Sequence, residues 1–448
     1  MKRLFGTDGI RGVADEFPLD RGTVETIGTS LARHFREKLG RGPIFLSGRD
    51  TRESGERLER AFHAGVISAG GRIESAEVIT TPGVAFLTRK FDFDAGIVIS
   101  ASHNPFGDNG IKIFSPSGEK VGEDIERQIE ADVSGPVAPT ATDESIGMDT
   151  SRVDVFRSAY LEHLAIGFNE SALKGRSIAV DCANGAASAF APDLFRALGA
   201  DVVAINDDPD GKNINFECGS LHLERIRETT LSNNAEIGVA FDGDSDRALF
   251  IDEAGNIVDG DAVLWVLASY LQDRGRIKNK TVVATVMSNI GLEIALASRG
   301  IKLVRAAVGD KFVLDELLRT GSELGGEQSG HIILTEQSLV GDGIMTALLL
   351  IKALSENGRA LSELTAGFVR YPQVLVNVKV REKKPFDSST HISAVSTEIE
   401  RELDGKGRLL LRYSGTENLA RVMIEGEDQT SIESQAKRLA DVISSQLG

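Results

Sequence analysis

Ser177-Ile178-Ala179-Val180, running through Asp181 to Gly185, is the stretch that decides the fold class. A serine and three apolar residues lead into a loop with Asn and Gly, a helical segment ends near Leu198, and a second apolar run covers Asp201 to Ile205. A strand, a crossover helix and a second strand in the same direction form the unit of an α/β sheet. The same grammar occurs before and after it. Pro43-Ile44-Phe45-Leu46 passes through Ser47-Gly48-Arg49-Asp50 to a helix ending near Ala69 and a strand over Arg72 to Ile79. Thr281-Val282-Val283-Ala284 passes through Met287-Ser288-Asn289 to a helix ending near Arg299 and a strand over Ile301 to Ala306. Ala95-Gly96-Ile97-Val98-Ile99 reads as a strand buried on both faces.

The last part differs. An alternating strand over Val374 to Val380 follows Arg370-Tyr371-Pro372. A helix over Ile392 to Leu403, strands near Leu409–Arg412 and Ala420–Glu425, and an amphipathic helix over Ser431 to Leu447 come next. The expected fold class is α/β, with three repeated mixed-sheet α/β domains and a smaller C-terminal α+β domain. Their expected bounds are 1–151, 152–253, 254–367 and 368–448, with a loop or linker near Ser134 to Pro139.

At 448 residues the chain exceeds one hydrophobic core, and 41% apolar with 26% charged residues is a globular composition. The net charge of −17, without a basic run, argues against a nucleic-acid partner. No stretch is apolar for long enough to span a membrane, and Met1-Lys2-Arg3-Leu4-Phe5-Gly6 interrupts any signal-peptide core. Cys182 and Cys218 lack the spacing of a disulfide scaffold or a zinc site. A cytoplasmic location is the expectation.

Phe241-Asp242-Gly243-Asp244-Ser245-Asp246-Arg247 places three carboxylates at alternate positions after an apolar strand. Such a concentration of negative charge calls for a cation, and hard oxygen donors favour Mg²⁺. Three other readings compete. An EF-hand loop would put Glu253 at its twelfth position, but Arg247 stands where that loop requires Gly. An aspartyl phosphatase would make Asp242 the phosphate carrier. A solvated acidic hairpin would carry no chemistry.

Ser100-Ala101-Ser102-His103-Asn104-Pro105 follows the buried strand directly, and Lys112 comes shortly after. A serine at the carboxyl end of such a strand lies where α/β sheets bind ligands. Serine, an imidazole, a lysine and a metal suffice for phosphoryl transfer, which is mostly positioning and charge neutralisation. Alone, Ser102 or His103 would be an ordinary loop residue; beside the carboxylate loop they form a constellation. Arg412-Tyr413-Ser414-Gly415-Thr416-Glu417 with Arg421 suits a phosphate, and Gly326-Glu327-Gln328-Ser329-Gly330-His331 suits sugar hydroxyls. Each has a plain turn as its alternative. Arg11 is a further anion contact, whereas Arg49 and Arg52 are either phosphate ligands or internal salt-bridge partners.

Five strings in this order resemble the α-D-phosphohexomutase family, and within it the glucosamine branch: Phe5 to Gly12, Ala101 to Phe106, Asp242 to Arg247, Gly326 to His331, and Arg412 to Glu417. The resemblance implies four domains around one cleft and a resting enzyme phosphorylated on Ser102. It implies Mg²⁺ held by Asp242, Asp244, Asp246 and an oxygen on Ser102. Glucosamine 6-phosphate and glucosamine 1-phosphate would interconvert through a 1,6-bisphosphate, with glucosamine or glucose 1,6-bisphosphate as activating donor. Arg11, His103 and Lys112 would assist at the reacting centre, with His331 a further proton-transfer candidate. Glu327 and Ser329 would read the sugar, Arg247 and Arg412 would contact substrate, and Ser414, Gly415, Thr416 and Arg421 would hold the other phosphate. A homodimer and a product feeding cell-wall amino-sugar synthesis are also implied. Ser245, Tyr413, Asn418, Thr81-Pro82-Gly83 and Lys311 depart from the family's usual text without removing a required group. Gln328 and Thr285 to Asn289 favour the glucosamine branch over relatives acting on mannose and glucose phosphates.

A binding protein without catalysis is the reading from another class. It has use for the anion loops but none for a serine beside three carboxylates.

Overall fold

The computed structural model describes residues 3–6, 8–135, 147–414 and 417–448. The Pro136 to Pro139 part of the expected linker lies outside them. Four sheets organise the described chain. The first has the order Phe5–Gly6, Gly9–Val13, Asp108–Phe114, Ala95–Ile99, Ile44–Arg49, Arg72–Val78. Its three strands Arg72–Val78, Ile44–Arg49 and Ala95–Ile99 are parallel, and Asp108–Phe114 returns antiparallel. The second runs Ile257–Val258, Ala248–Asp252, Ile237–Phe241, Ser177–Asp181, Asp201–Ile205, with the last three parallel. The third runs Lys302–Ala306, Thr281–Thr285, Leu324–Gly326, Ile332–Leu334. In the fourth, Gln373–Lys379 and Arg408–Tyr413 flank Leu419–Glu425, all antiparallel.

The central strands Ala95–Ile99, Ile237–Phe241 and Thr281–Thr285 are buried at every residue, as unbroken apolar runs between two helical layers should be. By contacts the chain divides into two compact units. One is Met1–Thr285 with Val304–Ala366; the other is Val286–Leu303 with Gly367–Gly448. In the second unit the helices Thr390–Leu403 and Gln429–Leu447 cover the fourth sheet around Ile399, Val422, Ile424, Leu439 and Ile443.

In the first sheet's helical layer, Arg21–Leu39 lies against Gly55–Ser68 at glycine contacts. A Cβ on Gly65 would stand 2.0 Å from the Glu25 carbonyl oxygen, so only glycine permits this approach. Beneath that helix pair lies a buried polar cluster. Glu59 accepts from Ser47, Ser75 and Arg49, and Ser47 Oγ is 2.7 Å from His63 Nε2. Burial, only partly offset by Glu59, lowers His63 to about 4.

A pH dependence follows. Above 6.5 His63 is neutral in both folded and unfolded chains. Below it the unfolded chain takes up the proton first, so stability present at neutral pH is lost as pH falls toward 4, by about 3 kcal/mol. Urea unfolding between pH 7 and 4 is expected to show this loss in the native protein and a shallower slope in His63→Gln.

Both cysteines are buried and free. Among the described residues no helix is long and apolar enough to cross a membrane.

Candidate active site

Ser102 follows the strand Ala95–Ile99, whose central position in the first sheet gives the loop a rigid base. Its φ of 52° is left-handed, a conformation that a non-glycine residue adopts only when its surroundings enforce it. The surroundings are specific. Ser100 Oγ accepts the Ser102 N–H at 2.9 Å and donates to Asp50, while Arg52 and Asn215 each donate to the Ser102 carbonyl at 2.8 Å. Ser102 Oγ, fully buried, donates to Asp242 Oδ2 and lies 3.3 Å from His103 Nδ1. The hydroxyl and the carboxylate loop, 140 positions apart in sequence, therefore meet.

The carboxylate loop joins the antiparallel strands Ile237–Phe241 and Ala248–Asp252. A Cβ on Gly243 would lie 2.6 Å from the Ser102 carbonyl oxygen, so the glycine between the first two aspartates lets the two loops touch. Ser245, standing where glycine is usual in the family, has φ 61°. Asp242 and Asp244 are fully buried and Asp246 nearly so, which removes the solvated-hairpin reading. The EF-hand reading falls too, because strands flank the loop on both sides and Glu253 accepts from Ser362 instead.

One ligand atom from each of the three aspartates lies within 4.8 Å of the other two. Asp244 Oδ1 and Asp246 Oδ1 are buried without a hydrogen-bond partner. Burial, reinforced by Asp246 and Asp244, pushes the Asp242 carboxyl well up. A divalent cation would satisfy these orphaned oxygens and reverse that penalty, so the residues fit a hard metal ion. Lys112 supplies part of the counter-charge. Its ammonium donates to Asp244 at 2.8 Å and Asp246 at 3.1 Å, with Asp8 at 3.4 Å. Burial opposes that charge, but the three aspartates outweigh it and raise Lys112 well above the ordinary lysine value. Arg11 donates to Asn104 and Asp8, and its Nε is buried without a partner. Arg247 Nε forms an ion pair with Asp246 at 3.8 Å but makes no hydrogen bond. Burial, followed by Arg247 and Arg11, lowers His103 to about 4, leaving it neutral at pH 7.

His331 is buried. Its Nε2 accepts from the Gly341 N–H at 3.0 Å, which leaves the proton on Nδ1, 3.6 Å from Asp246 Oδ1. Both ring nitrogens thus face protein groups, and the ring backs Asp246. Glu327 Oε1 accepts from the Gly309 N–H at 3.2 Å, and Ser329 lies in the same turn between Leu324–Gly326 and Ile332–Leu334. Of the two arginines read either way, Arg49 pairs with Glu59 and Arg52 with Asp50.

Several groups that hold the carboxylate loop were not singled out from sequence. Thr81 donates from Oγ1 to Asp244 Oδ2 at 2.5 Å and from its N–H to the Asp244 carbonyl at 3.0 Å. Gly343 N–H donates to the Ser245 carbonyl at 2.9 Å. These contacts begin two helices, Thr81–Lys90 and Gly343–Asn357, whose N-caps are Thr80 and Asp342. Tyr160 connects the caps: Thr80 Oγ1 donates to the Tyr160 hydroxyl at 2.9 Å, which donates to Asp342 at 2.8 Å. In the sequence Thr81-Pro82-Gly83 stands out only as a departure from the family's usual text, and its link to the aspartates is not legible there. Tyr160→Phe leaves both caps with an unmade buried hydrogen bond, a cost of about 1–3 kcal/mol. The expected result is a lower melting temperature and roughly tenfold weaker Mg²⁺ binding by calorimetry.

The second unit carries the anion-loop residues. Arg412 and Arg421 stand opposite each other across antiparallel strands. Like charges so placed repel, and among the described residues neither forms an ion pair. Arg421 approaches Ser414 Oγ at 3.5 Å, Lys383 donates to the Ser414 carbonyl at 2.6 Å, and Arg412 faces Met287 Sδ at 3.8 Å. Such a cluster suits an anion. Gly415 and Thr416 lie outside the described residues.

Comparison with known proteins meets this geometry. Models of phosphoglucomutase/phosphomannomutase α/β/α domains I, II and III match residues 2–136, 158–255 and 259–371, and the model of the C-terminal domain matches 375–442. The chain belongs to the phosphoglucomutase/phosphomannomutase family. It is 48% identical over 454 residues to a phosphoglucosamine mutase of Solibacter usitatus, covering 100% of this chain and 99% of that one. A phosphoglucomutase/phosphomannomutase family protein of Burkholderia thailandensis shares the fold at TM-score 0.81 and 22% identity, covering 100% and 99% of the two chains. So does an Aspergillus fumigatus N-acetylphosphoglucosamine mutase solved with GlcNAc-6P and magnesium, at TM-score 0.70, 20% identity and coverage of 99% and 95%. The family's domain plan is the α/β plan of the repeated strand–helix–strand units.

Proposed function

We infer that the chain is an isomerase with the activity of a phosphoglucosamine mutase, interconverting glucosamine 6-phosphate and glucosamine 1-phosphate. The observation that carries this is the buried Ser102 hydroxyl bonded to Asp242 within a cluster of three aspartates. Asp242, Asp244, Asp246 and an oxygen on Ser102 would hold Mg²⁺, which supplies neutralisation of phosphoryl charge when bound.

Ser102 gives its phosphoryl group to the sugar's free hydroxyl: the Oγ–P bond breaks, the sugar O–P bond forms, and the hydroxyl proton leaves. His103, neutral and beside Oγ, is the proposed acceptor of that proton. The resulting 1,6-bisphosphate turns over and returns its other phosphoryl group to Ser102. Lys112, Arg11 and Arg247 hold charge near the transferring group. Glu327 and Ser329 bind sugar hydroxyls, and Arg412, Ser414, Gly415, Thr416 and Arg421 hold the phosphate that is not reacting. The unrelieved pairing of Arg412 with Arg421 supports that last role. His331 positions Asp246. Glucosamine or glucose 1,6-bisphosphate primes Ser102. We place the domains at 1–151, 152–253, 254–367 and 368–448, in keeping with the four family matches, and propose a cytoplasmic homodimer.

Substrate choice is tested by turnover of the phosphorylated enzyme on glucosamine, glucose and mannose phosphates. A kcat/KM at least about a hundredfold higher for glucosamine 6-phosphate is expected. Preference for mannose or glucose phosphate would assign the chain to the other branch.

A further inference from the structure

Arg52 has a guanidinium with no solvent exposure, and its bonds converge on one loop. Nε donates to Asp50 at 2.8 Å. One terminal nitrogen donates to the carbonyls of Ser102 and Asn104, both at 2.8 Å, and the other to those of Pro105 and Asp108, the latter at 3.0 Å. Four carbonyls of the segment 102–108 thus share one planar fork. Asp50, which orients that fork, also accepts from Ser100 Oγ, and Ser100 Oγ accepts the Ser102 N–H. Both sides of the Ser102 backbone are therefore tied to a single buried ion pair. Asn215 grips two of the same carbonyls, Ser102 at 2.8 Å and Asn104 at 3.0 Å.

We propose that Arg52 is a positioning residue for phosphoryl transfer, holding Ser102 in its left-handed conformation so that Oγ is aimed at the aspartate cluster. The proposal rests on the reading that Ser102 carries the phosphoryl group. At φ 52° the serine sits in a region it leaves unless the surroundings fix it. A turn of that backbone would carry Oγ away from Asp242. The guanidinium suits this task because it is always charged and offers five donors in a fixed plane. Lysine, a point charge on a flexible stem, cannot bridge four carbonyls and a carboxylate together. A buried arginine that only stabilised the first sheet would need no such convergence on the loop bearing the nucleophile. Arg49, one strand position from Asp50, shows the contrast: it meets Glu59 and makes no bond to this loop.

Three variants test this in the full-length enzyme with Mg²⁺: Arg52→Lys, Asn215→Ala and, as control, Arg49→Lys. Each is assayed for melting temperature, for kcat and KM on glucosamine 6-phosphate, and for the rate at which glucose 1,6-bisphosphate phosphorylates Ser102, read by peptide mass spectrometry. Arg52→Lys is expected to lose at least about a hundredfold in kcat and in the rate of Ser102 phosphorylation, with KM within threefold. Arg49→Lys is expected to lower the melting temperature while keeping kcat within threefold. Asn215→Ala leaves no buried charge unpaired and keeps the fold accessible should Arg52→Lys fail to fold; about a tenfold loss in kcat is expected. A folded Arg52→Lys enzyme with kcat within tenfold of the native value overturns the proposal, as does Asn215→Ala with kcat within twofold. The native enzyme separates the two possible failures. If its own Ser102 takes up no phosphate, the reading of Ser102 as carrier is wrong. If native Ser102 is phosphorylated and Arg52→Lys matches its rate, only the role of Arg52 is wrong.

Discussion

Ser102→Ala is expected to lower turnover on the order of 10⁴-fold or more, because its hydroxyl, bonded to Asp242 of the aspartate cluster, is the group proposed to accept and return phosphate. The substitution removes one buried oxygen. The bonds that shape the loop come from the Ser102 N–H and carbonyl, which alanine retains. Stability should therefore change little, and the thermal midpoint is expected within a few degrees of the native one. Sugar-phosphate binding should persist, since the residues proposed to bind the sugar phosphate are untouched. A folded Ser102→Ala protein that turns over at near-native rate would remove the serine from the mechanism. A binding protein without catalysis would show the other pattern: intact binding in both proteins and no turnover to lose in either.

Asp244→Asn is the second large effect. Asp244 has one oxygen occupied by Thr81 and Lys112, while Oδ1 is buried without a hydrogen-bond partner, and the residue offers one ligand atom to the three-aspartate cluster. Asparagine keeps the shape but removes a negative charge that a hard cation needs, and its amide donors would oppose Lys112 or the metal. Turnover at millimolar Mg²⁺ is expected to fall at least about 10³-fold. A readout independent of activity is the melting temperature. A ligand that binds only the folded state raises it, so Mg²⁺ should stabilise the native protein and leave Asp244→Asn nearly unmoved. Equal stabilisation of both proteins by Mg²⁺ would place the metal elsewhere.

Much of this was legible in the residues. Apolar runs followed by Gly/Asn loops announced the parallel strands, since a strand buried on both faces has no polar alternation to hide. The alternate spacing of Asp242, Asp244 and Asp246 called for counter-charge, part of which the buried Lys112 supplies and the rest of which a hard cation would. What stayed hidden was tertiary. Thr81, Asn215, Tyr160 and Asp342 carry no local mark of function; a threonine at a helix start reads as a cap and a tyrosine at helical spacing as core. Their roles arise because separate segments meet: Asn215 grips the serine loop, Thr81 bonds the carboxylate loop, and Tyr160 ties the caps Thr80 and Asp342 together. His331 shows the same limit. Sequence marks an imidazole near the sugar loop, but only the Gly341 N–H, ten residues on, fixes which nitrogen bears the proton. The pairing of Arg412 with Arg421 depends on strand register, which a single mis-assigned turn residue would have shifted.

The most direct test is to incubate the enzyme with Mg²⁺ and radiolabelled glucose 1,6-bisphosphate and locate the label by peptide mapping. One acid-stable phosphate on the peptide bearing Ser102, chased off by unlabelled glucosamine 6-phosphate, is the expected result. Label on Asp242, lost to hydroxylamine as an acyl phosphate would be, contradicts it.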